Sequence, residues 1–382
     1  MKTKKIYGQD SYELKTPDVE LALTQLGGHL APVIFKLGKK KGQPFSIAPW
    51  HAEKLPAGID PLLHVLRGDF FCLPFGGNAT PVKKLKLNCH GDTANAPWTF
   101  VDAKTCDKGA YIHLWQKQPF GKKARVDKRL YLRKGQTAVY QEHLVSGVDA
   151  ELPVGHHPTL DFSGKSARLS AGPFTVGYVN PQPFENPANK GYSALQHGSS
   201  FTSLKKVKTV CGGTADLSVY PARRGFEDLV IMVNDRKKPF AWQAAVVQKE
   251  GWIYYALKDP KTLGSSAQWI TNGGRHYAPW NGRHTDRIGL EDTTSYFADG
   301  WAESIGANAL KKKGIPTALK FSSKKPTAVR YIIGVAAAPK SFDEVKTIER
   351  VDANHIRLVA RNGKKIIVPL NIDFLQKGEK AL

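Results

Sequence analysis

The densest group of chemically capable side chains lies between Gly273 and Asp292, in the stretch GGRHYAPWNGRHTDRIGLED. Four glycines, two aromatics, three arginines, two histidines and three acidic residues share this span. Its polarity and its glycines make the first half a loop. The chain then turns apolar at Ile288 and Leu290 around Gly289, which puts Glu291 at the rim of a strand beside that loop. A carboxylate in that position, near the flat faces of Trp280 and Tyr277 and the donors of Arg275 and Arg283, suits acid/base chemistry on a polyhydroxylated ligand. The competing reading is a surface loop whose charges are simply solvated.

A proton-transfer partner for such a carboxylate has three candidates. His156 and His157 are adjacent in PVGHHPTLDF, from Pro153 to Phe162, and neighbours on an extended strand point to opposite faces, so only one of them can serve a given pocket. His90, in Asn88-Cys89-His90-Gly91, is either a ligand contact or a turn residue. None of these histidines forms an HxH or HxxxH pair, so no metal site is expected. Arg67 and Asp69, flanking Gly68, read as a structural ion pair beside a core.

The elements that must hold these residues are mostly strands. YIHLWQKQ, RVDKRLYLRKG and TAVYQEHLVSG alternate between apolar and polar residues and each ends at a glycine, the rhythm of an antiparallel meander. FEDLVIMV, WQAAVVQ, WIYYALK and AQWITN continue it. Near the end, Ser341 to Glu349 has capping-box spacing from Ser341 to Glu344, with Phe342, Val345 and Ile348 at helical intervals, so a short helix is expected there. IRLVARNGKKIIVPL then reads as a hairpin around Asn362-Gly363. The fold class expected is all-β, a large antiparallel β-sandwich with a short C-terminal helix and hairpin. No linker interrupts the chain, so residues 1–382 are expected to form a single domain with 340–382 as an addition packed on it.

Composition narrows the function classes. At 382 residues, with 41% hydrophobic and 10% aromatic content, the chain can bury a large core. Its 56 basic residues against 33 acidic give a formal charge of +23, which raises the question of an anionic partner. The basic residues fall in scattered short groups such as Lys2–Lys5, Lys83–Lys86 and Lys311–Lys313, with no zinc-finger spacing or basic helix, so no specific nucleic-acid binding is expected. Cys72, Cys89, Cys106 and Cys211 lack CxxC pairing. The N-terminal stretch has no apolar signal core, and the longest apolar run, Tyr331 to Ala338, is too short to cross a bilayer; no membrane association and a cytoplasmic location are expected.

Several pieces together resemble the aldose 1-epimerase family, the galactose mutarotases. LTQLGGHLAPVIF resembles the family's opening strands with their glycine break, and the run from Arg129 to Phe162 resembles the strands leading to its His-Pro-aromatic-aromatic-Asn-Leu motif. NCHG resembles its His-Gly segment, and IGLED the strand carrying its general base. The pieces keep the family's order over roughly residues 19 to 335. The resemblance implies a mutarotase-like supersandwich with Glu291 as base and His157 as acid, and His90, Asp228 and Trp280 on the substrate. It implies no cofactor and no metal. The family's Asn-Arg pair is absent from Pro74-Phe75-Gly76-Gly77-Asn78, which leaves Arg275, Arg283 and Arg67 as candidates to replace the arginine. The activity implied is interconversion of α and β anomers of an aldose or aldose derivative, with an anionic sugar favoured if one of these arginines enters the pocket. The alternatives are a noncatalytic carbohydrate-binding protein on the same fold, an enzyme acting on an acidic or phosphorylated sugar, a glycoside hydrolase or lyase pairing Glu291 with Asp161 or Asp292, and a polyanion binder.

Overall fold

Alternation in the central strands explains the architecture seen in a computed structural model, which describes residues 1–379. In the Trp252–Lys258 strand, Trp252, Tyr254 and Ala256 enter one apolar cluster, while Ile253, Tyr255 and Leu257 enter another. Both faces are buried, which is why the strand reads as apolar throughout. Among the described residues it lies within a nine-stranded antiparallel sheet. An eight-stranded sheet packs against that sheet's inner face. Its central strands are Phe226–Asn234, Ser265–Asn272 and Arg287–Thr294, and it continues through Val154–His156 to Phe71–Cys72. Side chains from both sheets, among them Val230, Met232, Ile288 and Leu290 facing Ala245, Tyr254, Tyr331 and Ile333, form the main core. The expected β-sandwich is therefore observed.

Two further clusters cover the outer faces. On the nine-stranded sheet sits a three-stranded antiparallel sheet, Val345–Arg350, His355–Ala360 and Lys365–Pro369, followed by the short helix Phe374–Lys377. The hairpin around Asn362-Gly363 is present, but the helix expected over 341–349 is not. Val345 and Ile348 do both turn inward, as their spacing required. A register shift between Val345 and Thr347 absorbs the extra residue, so a β-bulge imitates the three-residue period of a helix. On the outer face of the eight-stranded sheet, Leu229, Ile231, Ala267 and Trp269 are covered by loops carrying Trp50, Leu62, Phe70, Phe75 and Trp280. Within the described residues no helix is long and apolar enough to cross a membrane.

Candidate functional site

A cavity of about 410 Å³ opens on that loop-covered face, with Glu291 and His157 among its lining residues. Glu291 is the fifth residue of Arg287–Thr294, a strand paired on both sides, so it lies in mid-sheet and not at the strand rim expected from the sequence. It is 2% exposed. Its carboxylate folds back over Gly289, where a Cβ would come within 2.4 Å of Oε1. The glycine in IGLED thus makes room for the catalytic candidate two residues along on the same face.

His157 follows the Val154–His156 strand, and its N–H donates to the Phe70 carbonyl at 3.0 Å. The Phe70 ring stacks on the imidazole at 4.6 Å. His157 Nε2 lies 3.1 Å from Glu291 Oε1, and Nδ1 is 3.3 Å from the Thr159 hydroxyl. Burial pushes the Glu291 carboxyl up to about 8, with the neighbouring Asp292 adding to the effect, and pushes His157 down to about 4. Both directions favour the uncharged forms, so in the free site the pair's proton rests on the Glu291 carboxyl and the His157 ring is neutral.

His90 stands edge-on to His157 at 4.8 Å. Its Nδ1 accepts from the Gly76 N–H at 3.2 Å, and its own N–H donates to the Gly76 carbonyl at 2.7 Å. Burial holds the ring neutral, so its proton sits on Nε2 and makes that atom a donor. These two bonds hold His90 at φ 60°, and the following Gly91 cannot be replaced, because a Cβ there would meet the Leu73 carbonyl at 2.1 Å.

The loop over 273–286 supplies Arg275, Tyr277 and Trp280 to the cavity wall. His284 anchors it, bonding Thr271 Oγ1 at 2.9 Å and stacking on Trp269. The Arg275 guanidinium lies 4.5 Å over Trp280 and 5.0 Å over Trp269, so it covers one face of the ring expected to meet a sugar. Arg275 Nε is 2.5 Å from Glu185 and 3.8 Å from Glu227. Burial alone would lower the arginine, but Glu227 and Glu185 offset this and raise it above its usual value. Burial pushes Glu227 itself up to about 7.

Solved structures share this architecture. No protein-family model matches the chain, and no curated protein matches it by sequence. A galactose mutarotase-like protein from Clostridium acetobutylicum superposes with a TM-score of 0.58 at 12% identity, over 88% of this chain and 98% of that one. A galactose mutarotase related enzyme from Lactobacillus acidophilus gives 0.54 at 13% identity, over 88% and 100%. The fold is that of the galactose mutarotases. A galactose mutarotase-like protein from Lactobacillus casei gives 0.52 at 11% identity, over 85% and 99%.

On this mutarotase-like scaffold, Glu291, His157, His90, Trp280 and Arg275 come together, and the other three residues singled out from the sequence lie elsewhere. Asp228 is on the opposite face of its strand from Leu229 and accepts from the N–H groups of Ala194 and Leu195 at 3.0 and 3.1 Å, fixing a loop. Its neighbour Glu227 faces the site, taking bonds from Trp269 Nε1, Thr271 Oγ1 and the Gly274 N–H. Arg67 is buried and donates to the carbonyls of Val65, Ile6 and Tyr7; Asp69 pairs instead with His156 and Gln141. Arg283 sits outside the cavity, paired with Glu53. His156 points into the sandwich, as the alternation required, and stacks on Tyr331. Asp292 also points inward, to Lys258 and Tyr331, and Asp161 pairs with Arg287, so neither carboxylate faces Glu291 across the cavity. Trp269 pairs with Gly289 and shares the face of Glu291, a placement that only strand pairing reveals. Asp60, Phe184 and Glu185 reach the site from segments distant in the chain, with no local signal in the sequence.

Proposed function

We propose that this protein is an aldose 1-epimerase that opens and recloses the sugar hemiacetal by acid/base chemistry. The observation that carries this reading is the Glu291–His157 pair, in contact at 3.1 Å on the wall of a largely apolar cavity. In a cyclic aldose the hydroxyl that must lose a proton and the ring oxygen that must gain one are both bonded to C1. A base and an acid that touch in the free site are therefore spaced to address both. The proton that rests on Glu291 in the free site passes across the 3.1 Å contact to His157 in the reactive form. Glu291, then a carboxylate, takes the proton of the C1 hydroxyl, and the hydroxyl oxygen's freed electron pair forms the aldehyde C=O as the bond from C1 to the ring oxygen breaks. His157, as imidazolium, gives its proton to that oxygen. Rotation about C1–C2 and the reverse transfers close the ring as either anomer. His90 Nε2 offers a hydrogen bond to a substrate oxygen in the water-poor cavity, where such a bond counts for more than in water.

The test is mutarotation of freshly dissolved anomers followed by polarimetry or anomeric NMR. Wild type should accelerate equilibration of at least one aldose, and Glu291→Gln should abolish the acceleration. A wild-type protein that accelerates none refutes the reading and points to a carbohydrate-binding role.

A further inference from the structure

The cavity and the chain differ in the sign of their charge. The sequence carries +23, yet among the described residues Arg275 is the single Lys or Arg lining the cavity. That guanidinium is already matched by Glu185 at 2.5 Å and approached by Glu227 at 3.8 Å. Asp60 adds a carboxylate to the wall, His90 is neutral, and the one proton shared by Glu291 and His157 leaves that pair neutral overall. The single guanidinium is thus set against the Glu185 carboxylate, with the exposed Asp60, whose Oδ1 accepts from the Leu62 N–H, a further negative charge among the lining residues and Glu227 adding to the negative side as it ionises. Turning Arg275 toward a ligand anion would strip Glu185 of its partner and remove the guanidinium from the rings of Trp280 and Trp269.

Apart from the Tyr277 hydroxyl, which reaches Glu185, and the Cys89 thiol, the remaining wall is mostly apolar. Leu62 and Leu63 come from the 3-10 turn Pro61–His64 and Leu66 from the residues just after it, and Phe184 and Leu229 join them. A hydroxyl pressed against such a surface loses its water partners and gains none.

Resting on the epimerase reading, we infer that the substrate class is a neutral aldose with an apolar position, deoxy or alkylated, and that the Glu185–Arg275 pair turns away uronates and sugar phosphates. The arginine in the pocket therefore acts as part of a closed ion pair and not as an anion receptor.

The experiment compares an aldohexose, its 6-deoxy analogue, its hexuronate and its 6-phosphate, in both gluco and galacto series, at fixed ionic strength. Two readouts are taken for wild type and Glu185→Gln: mutarotation rate, and quenching of tryptophan fluorescence from Trp269 and Trp280 as a direct measure of affinity. In wild type the neutral sugars should exceed both anions by about tenfold or more in kcat/KM and in affinity. The 6-deoxy sugar should bind at least as tightly as its parent. Glu185→Gln should narrow the gap by improving the anions. A hexuronate or phosphate that outperforms its parent aldose overturns the inference, as does a 6-deoxy sugar that binds more weakly or a failure of every sugar to quench. Absence of turnover with all of them would instead sink the epimerase reading, while the fluorescence affinities would still decide the substrate class.

Discussion

Replacing Glu291 by Gln keeps the shape of the side chain and removes its ability to ionise, so activity and stability should move in opposite directions. Loss of a general base removes about 10²–10⁴ of rate. The stability effect follows from the same burial. The carboxyl ionises at 4.5 in its ordinary environment and at about 8 in the folded protein. Because the folded value is raised, the stability it contributes is fully present below pH 4.5 and is lost as pH rises through about 8. At pH 7 the folded state is penalised by up to about 3 kcal/mol for keeping this group out of water. Glutamine carries no such penalty but must still be desolvated, so Glu291→Gln should be about 1 to 3 kcal/mol more stable than wild type at pH 7. The difference should widen toward pH 8 and close toward pH 5. Urea unfolding at three pH values measures the second effect, and polarimetry corrected for spontaneous mutarotation measures the first. A variant that keeps its rate within about tenfold, or that is less stable than wild type at pH 8, would show Glu291 to be an ionised structural partner of His157, and the acid/base assignment would fall.

Gly289→Ala should lower mutarotation by about 10²-fold with the far-ultraviolet circular dichroism unchanged, because its Cβ would lie 2.4 Å from Glu291 Oε1 and must displace the carboxylate. In wild type the rate should fall as pH rises through about 8, where the proton shared by Glu291 and His157 leaves and no acid remains; a pH-rate profile still rising above 9 refutes that assignment. Arg67→Lys should cost about 1–3 kcal/mol in urea unfolding while leaving KM for any sugar unchanged, since its partners are three backbone carbonyls. Arg283→Ala, at an exposed pair with Glu53, should shift stability by less than about 1 kcal/mol and leave the kinetics unaltered.

Local sequence carries what depends on period and on near neighbours. Alternation in the strands determines the all-β class, and the adjacency of His156 and His157 requires one ring to face the site and the other the sandwich interior. The Gly-Leu-Glu order in IGLED places a small residue on the face of the base, two positions before it. The same logic misled at 341–349, because a bulge and a helix can put apolar residues at the same three-residue spacing, and only pairing with His355–Ala360 separates them. Pairing decided the rest. Which of Glu227 and Asp228 faces the cavity depends on the register of Phe226–Asn234 in its sheet, and a shift of one residue would exchange them. Arg275, Arg283 and Arg67 look alike as loop arginines. One is clamped by Glu185, one is held at the surface by Glu53, and one is buried among carbonyls. Glu185 lies 90 residues from Arg275 in the chain, and Glu53 lies 230 from Arg283. A charge's effect depends on what folding brings within a few ångströms of it, so the sequence determined that cations would be present, and the tertiary structure decided that the one in the cavity is already neutralised.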